Sequence, residues 1–494
     1  MTVALSRRFL GALLCVGLVA AYAVTSSSRP LAQAPRPGTA ETITEADLRA
    51  HLEFLASDAL NGRGSNTRDE WIAATYIAAQ FRRWNLEPMG DDGGYVQAAE
   101  ILRESMASPA VLTAGTARFT HGADMLVNGL TGAHVAGPLV KLAEGAAEVP
   151  AGSVVLMPPP APPVAGGAGR AGGRVGGRGR GRGGATQATT GAALVISLAP
   201  DQSAEQWATS AARPVSAGSR FATVTPAPST RAARVSVNKA AYDALAALAE
   251  GTSVSLDAEL SSTRAHTWNA VGRLTGSDPA MKDQVIVLGA HLDHVGMRPN
   301  APGDDKIFNG ADDDASGTVA VTALAQALAA GPRPKRTLVF ALFGSEEGGG
   351  AVSGSSYFVE LPVVPLDRLV AQLQFEMLAR PDPMVPEHTL WLTGYERSDL
   401  GSEMAKQGAP LVQDPRPEQS FFTRSDNIKF ARKGVVSHTV SSFNLHTDYH
   451  QASDEIDKVD FAHMLDAVRS MLEPVRWLAN ATFTPAWAPG GQPR

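Results

Sequence analysis

The sequence predicts an α/β fold: a mixed, mostly parallel β-sheet flanked by helices, with a small β-rich domain inserted into it. Three observations carry this expectation. Residues 284–290 and Thr337–Phe343 are unbroken apolar runs, the pattern of strands covered on both faces. Between them, Gly317–Ala330 is a helix-length stretch of small and apolar residues, stopped by Gly331 and Pro332, with Gly331 as its C-terminal glycine. Strands joined through such a crossover run parallel. From 106 to 262, by contrast, short apolar runs such as 152–157 and 192–198 alternate with Gly, Pro and Thr, the texture of a separate β-rich unit.

With 494 residues, the chain exceeds what one core organises, so two globular units are expected. Arg7 and Arg8 precede an apolar run over 9–24 that contains Ala21-Tyr22-Ala23. This is the form of a secretory signal peptide, residues 1–23. The run is shorter than the roughly 20 residues a spanning helix needs, so no stable membrane anchor is expected and the protein is secreted or periplasmic. Residues 24–40, rich in Ser, Pro and Ala, read as a linker. The main domain starts over 41–105, with one helix from near Glu45 carrying Leu48, Leu52 and Leu55, and another presenting Ala73, Ile77, Phe81 and Trp84 on one face.

The inserted domain follows over 106–262. Within it, 165–184 is almost wholly Gly, Arg and Ala and cannot bury apolar surface, so a disordered surface loop is expected. No aromatic interleaves its arginines, which argues against a nucleic-acid tether, and the net charge of -6 lacks the basic excess of a phosphate binder. Residues 263–480 carry the α/β pattern and close on a helix with Phe461, Met464, Leu465, Val468, Met471 and Leu472, which Pro474 should bend or end; 481–494 is a tail. Cys15 is the only cysteine and lies in the signal run, so any metal must sit on His and carboxylates.

The chemistry gathers at strand ends. His291, Asp293 and His294 directly follow the run ending at 290, Glu346 and Glu347 follow the run ending at Phe343, and Asp312, Asp313 and Asp314 lie in the crossover between them. Sites in open α/β sheets form at the carboxyl ends of strands, so these groups should converge. Two metals about 3.5–4 Å apart can generate and clamp a nucleophile, a bridging carboxylate offsets their repulsion, and a free carboxylate nearby can shuttle the proton. The aspartate run is not a calcium loop, because Ala323 stands where the bidentate Glu belongs and no helix leads in. The absence of an HExxH helix excludes a thermolysin-like site.

Five stretches in order, GAHLDHVG (289–296), NGADDDASG (309–317), FALFGSEE (340–347), FEM (375–377) and DYHQASDEIDKVDF (448–461), resemble the co-catalytic zinc aminopeptidase family. Its relatives include glutamate carboxypeptidase and the transferrin receptor ectodomain. HLEFLASDALNGRGS (51–65) resembles the family's N-terminal portion, and the insert resembles a protease-associated domain. The resemblance implies two zinc ions per chain. His291 would bind the first, with Asp293 orienting its imidazole. Asp313 would bridge both, Glu347 and His450 would bind the second, and Glu376 would complete the first where many members have Asp. Glu346 would be the general base acting on a zinc-bridging hydroxide, Tyr449 would stabilise the oxyanion, and a cis peptide is implied between Asp313 and Asp314. Near the expected substrate pocket, Asp426 and Asn427 follow Ser425, with Asn where His is common, which bears on side-chain preference.

His294 and His446 are expected to line the cleft, and His388, His438 and His463 to be structural. The implied activity is removal of N-terminal residues from peptides. A metallo-carboxypeptidase would share all five ligands. A glutaminyl cyclase would use one zinc, and a non-catalytic receptor-like relative would have lost ligands or base.

Overall fold

The computed structural model describes residues 38–143, 148–160, 189–225, 231–348 and 350–494. The signal peptide expected over 1–23, most of the linker expected over 24–40 and the Gly/Arg stretch 165–184 lie outside the described residues. The apolar runs form strands β3 (Val285–His291) and β4 (Thr337–Phe343), buried at every position. They sit in a ten-stranded sheet with β1 (Val96–Met106), β2 (Leu260–Leu274), β5 (Leu369–Phe375), β6 (Leu390–Leu392), β7 (Leu411–Gln413) and β8 (Ser437–Ser441), in the order β7-β6-β8-β5-β3-β4-β2-β1. Strands β8, β5, β3 and β4 run parallel at the centre, while β2 and β1 extend the sheet antiparallel.

Register places the site. His291 pairs with Phe343, and Gly289 with Gln374. Strands β3 and β4 therefore end level, and continuing β5 by two residues brings Glu376 alongside His291.

Four helices cover one face, while Phe358 and Phe430, from two short helices, pack on Val285 and Val287 of the other. Helices α1 (Glu45–Leu55), α2 (Arg68–Arg83), α3 (Gly317–Ala330) and α4 (Phe461–Asn480) bury Leu48, Leu52, Phe81, Leu324 and Met471 in one core with β3, β4 and β5. Thr44 and Thr67 cap α1 and α2 by accepting from Asp47 N and Asp69 N, the usual role of a hydroxyl at that position. The small side chains of α3 let it lie close to the sheet, with almost every residue buried.

Three expectations need correction in detail. Of the two outcomes expected at Pro474, an end is not found: helix α4 runs on to Asn480. Burial of Val475, Leu478 and Ala479 on the same core offsets the cost of about 3 kcal/mol that an interior proline imposes. Gly331 ends α3 as expected, in an extended conformation, φ −90° and ψ −174°, packed against Gly38. Trp84 falls one residue past α2 and is only half-buried. The strand Ser216–Phe221, inside the 106–262 segment, pairs with β1 as the edge of the main sheet. Eight other strands, all lying between Val111 and Asp257, form a sheet of their own around Leu112, Leu139, Ile196 and Val235.

His438 in β8 is fully buried, its Nδ1 2.7 Å from Thr393 O and its Nε2 2.6 Å from Ser398 Oγ. Burial pushes the imidazole down from 6.5 to about 4. Between those values the folded chain binds fewer protons than the unfolded one. Stability is therefore full above about pH 6.5 and falls as pH drops through the window, by about 3 kcal/mol at most from this group. The melting temperature should drop less over pH 6.5 to 4 in His438→Gln than in the parent; an equal drop would remove His438 as the cause.

Candidate metal centre

The carboxyl ends of β3, β4 and β5 and the turn Ala311–Ser316 surround one cavity. His291, Asp313 and Glu376 place donor atoms within 4.8 Å of one another, and so do His294, Asp313 and Glu347. Asp313 belongs to both groups: its Oδ1 lies 3.2 Å from His291 Nε2 and its Oδ2 3.1 Å from His450 Nε2. Glu347 Oε1 lies 2.8 Å from His450 Nε2 and 3.2 Å from His294 Nδ1. All of His291, Asp313, Glu347, Glu376 and His450 are thus brought together, with Glu346 beside them in the turn after β4. His294, read from the sequence only as a cleft residue, joins them.

The three consecutive aspartates divide the work. The Asp313–Asp314 peptide is cis, and only Asp313 turns its carboxylate to the cavity. Asp314 is buried and accepts from the main-chain N–H groups of His291, Gly317 and Met377 at 2.9–3.1 Å. It thereby ties β3, α3 and the end of β5 together. Asp312 accepts from Ala379 N at 2.8 Å and lies 3.0 Å from His446 Nε2. Asp454 accepts from the N–H groups of Asp312 and Asp313 at 3.1–3.2 Å.

Arg63, fully buried, donates to the carbonyls of Leu55, Leu292, Asn309 and Gly310 at 2.5–3.0 Å, lacing the N-terminal segment to both ligand-bearing loops. Sequence reasoning missed Arg63 and Asp454. The only available signal was their place inside the 51–65 and 448–461 stretches.

Asp293 meets the His291 ring differently from expectation. His291 Nδ1 lies 3.1 Å from the Asp293 main-chain carbonyl and 3.8 Å from its carboxylate. That carboxylate instead accepts from Glu346 N, Glu347 N and Ser65 Oγ. It therefore holds the turn that carries the two glutamates.

The electrostatics call for cations. Burial alone would lower the His291 and His450 imidazoles. Asp313 outweighs it at both, raising His291 well above its ordinary value and, with Glu347, bringing His450 to about 10. Burial pushes Glu376 up to about 7 against the opposing pull of His291, with Asp313 adding repulsion. Glu346 is also raised well above the usual carboxylate range, by burial and then by Glu347, Asp426 and Glu376, against the pull of His291. Protons are thus drawn in to offset crowded carboxylates, which is what divalent ions do better. The buried Asp313 Oδ2, Glu376 Oε2 and both ring nitrogens of His294 have no hydrogen-bond partner, a costly arrangement that coordinated ions would relieve. The residues fit two cations.

Next to Glu376 lies a small pocket walled by Met377, Trp391, Phe421 and Phe443, with Arg424 and Tyr449 at its side. Tyr449 stacks on His450 with ring centroids 3.9 Å apart. Asp426 and Asn427 do not line this cavity, which corrects their expected place. Asp426 accepts from Ser355 Oγ and Gln374 Nε2. Asn427 bonds to Phe422 O and Thr439 Oγ1. These internal bonds consume both side chains, and the wall is formed by Arg424 and Ser425 instead.

The model of Peptidase family M28 matches residues 269–474. The chain is 33% identical over 264 residues to "Probable lipoprotein aminopeptidase LpqL" of Mycobacterium tuberculosis, covering 46% of this chain and 48% of that protein. It is 31% identical over 200 residues to "probable leucine aminopeptidase 2" of Aspergillus oryzae, covering 38% and 37%. The chain thus spans about half the length, or less, of these relatives. Similar solved structures include an aminopeptidase from Aneurinibacillus sp. strain AM-1, 18% identical with TM-score 0.48, covering 90% of this chain and 97% of that one. Another is BSAP, a zinc aminopeptidase from Bacillus subtilis, 17% identical with TM-score 0.46, covering 93% and 98%.

Proposed function

We propose, from the match of residues 269–474 to the model of Peptidase family M28, that the protein is an exported metallo-aminopeptidase that removes apolar N-terminal residues from peptides. The observation that carries this reading is the pair of donor groups sharing Asp313, with an additional carboxylate, Glu346, beside them. His291, Asp313 and Glu376 would hold one zinc ion, and Asp313, Glu347 and His450 the other. When bound, they supply Lewis acidity toward the scissile carbonyl and the attacking water.

The chain's own residues do the rest. Glu346 takes the water's proton and returns it to the leaving amine. The Tyr449 hydroxyl donates to the developing oxyanion. Asp293 keeps the Glu346–Glu347 turn in place. The Met377, Trp391, Phe421 and Phe443 walls favour an apolar side chain at the substrate's first residue, since one extra buried methylene is worth about 0.8 kcal/mol. The relatives named aminopeptidases support this direction of cleavage, and the apolar run behind Arg7-Arg8 supports export.

Two measurements test it. A peptide library with free and blocked ends should be cleaved only where the amino terminus is free, fastest with Leu, Phe or Met first; a requirement for a free carboxyl terminus would replace this reading with a carboxypeptidase. Chelation should remove all turnover, and added zinc should restore it. Activity that survives with metal content at zero would rule the mechanism out.

A further inference from the structure

His294 is wholly buried, and its main-chain N–H donates to Arg63 O at 3.1 Å. Its Nδ1 lies 3.2 Å from Glu347 Oε1 and 3.8 Å from Asp313 Oδ2. Neither ring nitrogen makes a hydrogen bond. The same two carboxylate oxygens face His450 Nε2 at 2.8 and 3.1 Å, and the two imidazoles meet edge to face with centroids 5.8 Å apart. A zinc ion with bonds of about 2.0–2.2 Å separates neighbouring tetrahedral donors by about 3.4 Å. The four measured separations, 2.8 to 3.8 Å, bracket that edge.

The space for the ring is also built in. Gly310 has φ +58°, and a Cβ there would lie 2.4 Å from His294 Cγ and 2.5 Å from Cδ2. A side chain at 310 would collide with the imidazole in this position.

We propose that His294 is a fourth protein ligand, through Nδ1, of the ion held by Asp313, Glu347 and His450. The proposal rests on the two-metal reading above. It makes the two sites unequal: four protein donors at one, three at the other (His291, Asp313 and Glu376). The first should fill at lower metal concentration.

Cobalt(II), added alone to metal-free full-length protein, is the probe. Metal bound is counted by equilibrium dialysis and mass spectrometry, and ligation is followed by visible absorption. The parent should bind two equivalents in distinct steps. In His294→Ala, the tighter step should weaken by at least about 100-fold, beyond what loss of a partner hydrogen-bonded to a ligand produces. His294→Cys supplies the deciding readout. The shorter reach of the thiolate is offset by its longer metal bond, about 2.3 Å, and Cys15 is the only other cysteine in the chain.

A thiolate-to-cobalt charge-transfer band in His294→Cys, missing from the parent, puts residue 294 in the coordination sphere. Its absence overturns the proposal, even where His294→Ala binds more weakly, since His294 would then act only through Glu347. A parent that takes up no cobalt sinks the two-metal reading itself, a different failure.

Discussion

Glu346→Gln should keep both metal ions and lose turnover, with kcat lower by about 10²- to 10⁴-fold, the range a positioned general base supplies. Glu346 lies in neither donor group, so its amide leaves the coordinating atoms untouched. Its own hold on the structure is through the main chain, where its N–H donates to Asp293 Oδ1 at 3.0 Å, a bond that the substitution does not alter. Glutamine also takes a charge out of a neighbourhood where Glu347, Asp426 and Glu376 all disfavour ionisation, so thermal stability should hold or rise. Metal counted per chain, read beside kcat, separates a lost base from a lost ion. Parent-level kcat with two ions bound would remove Glu346 from the chemistry.

The second large effect is on folding. Arg63→Met should destabilise the protein by about 3–5 kcal/mol, the cost of removing one member of a buried charge network. The carbonyls of Leu55, Leu292 and Asn309 would lose the donor that Arg63 supplies, while Gly310 O keeps Ala315 N at 3.2 Å, and Asp293, Asp313, Asp314 and Asp454, which all act on its charge, would lose their buried counter-ion. Arg63→Lys should recover little, because an ammonium cannot fan out to carbonyls on separate segments as a guanidinium does. Guanidinium chloride unfolding of the metal-free protein reads the difference. A loss below about 1 kcal/mol, the scale of a single ordinary hydrogen bond, would show that these contacts are dispensable.

Local pattern carried a good part of the architecture. The limits of β4 and α3 follow from an apolar run and a small-residue run that each end on a clear signal. The ligand set was legible because strand ends of matched register collect whatever polar groups follow them. Other features lay beyond such reading because their partners are remote in the chain. Arg63 bonds to Asn309 and Gly310 across more than two hundred positions, and Asp454 to Asp313 across 141. Which member of Asp312-Asp313-Asp314 faces the cavity depends on backbone donors arriving from β3, β5 and α3. Pro474 misled because a local cost was outweighed by core burial elsewhere. Nothing in the neighbouring residues distinguished His294 from an ordinary cleft histidine until Glu347 and Gly310 stood beside it.

The pairing of Ser216–Phe221 with β1 has an engineering consequence. Met106 and Leu260 face each other across the β1–β2 ribbon, so the polypeptide leaves and re-enters the main sheet at one place, and a short reverse turn could bridge the gap if everything between were excised. That shortened chain would also lose the ribbon bonded to the far side of β1. It would leave a bare row of amides open to pairing with other molecules. A trimmed version is therefore expected to clump at high concentration unless lysine or proline is written into that margin.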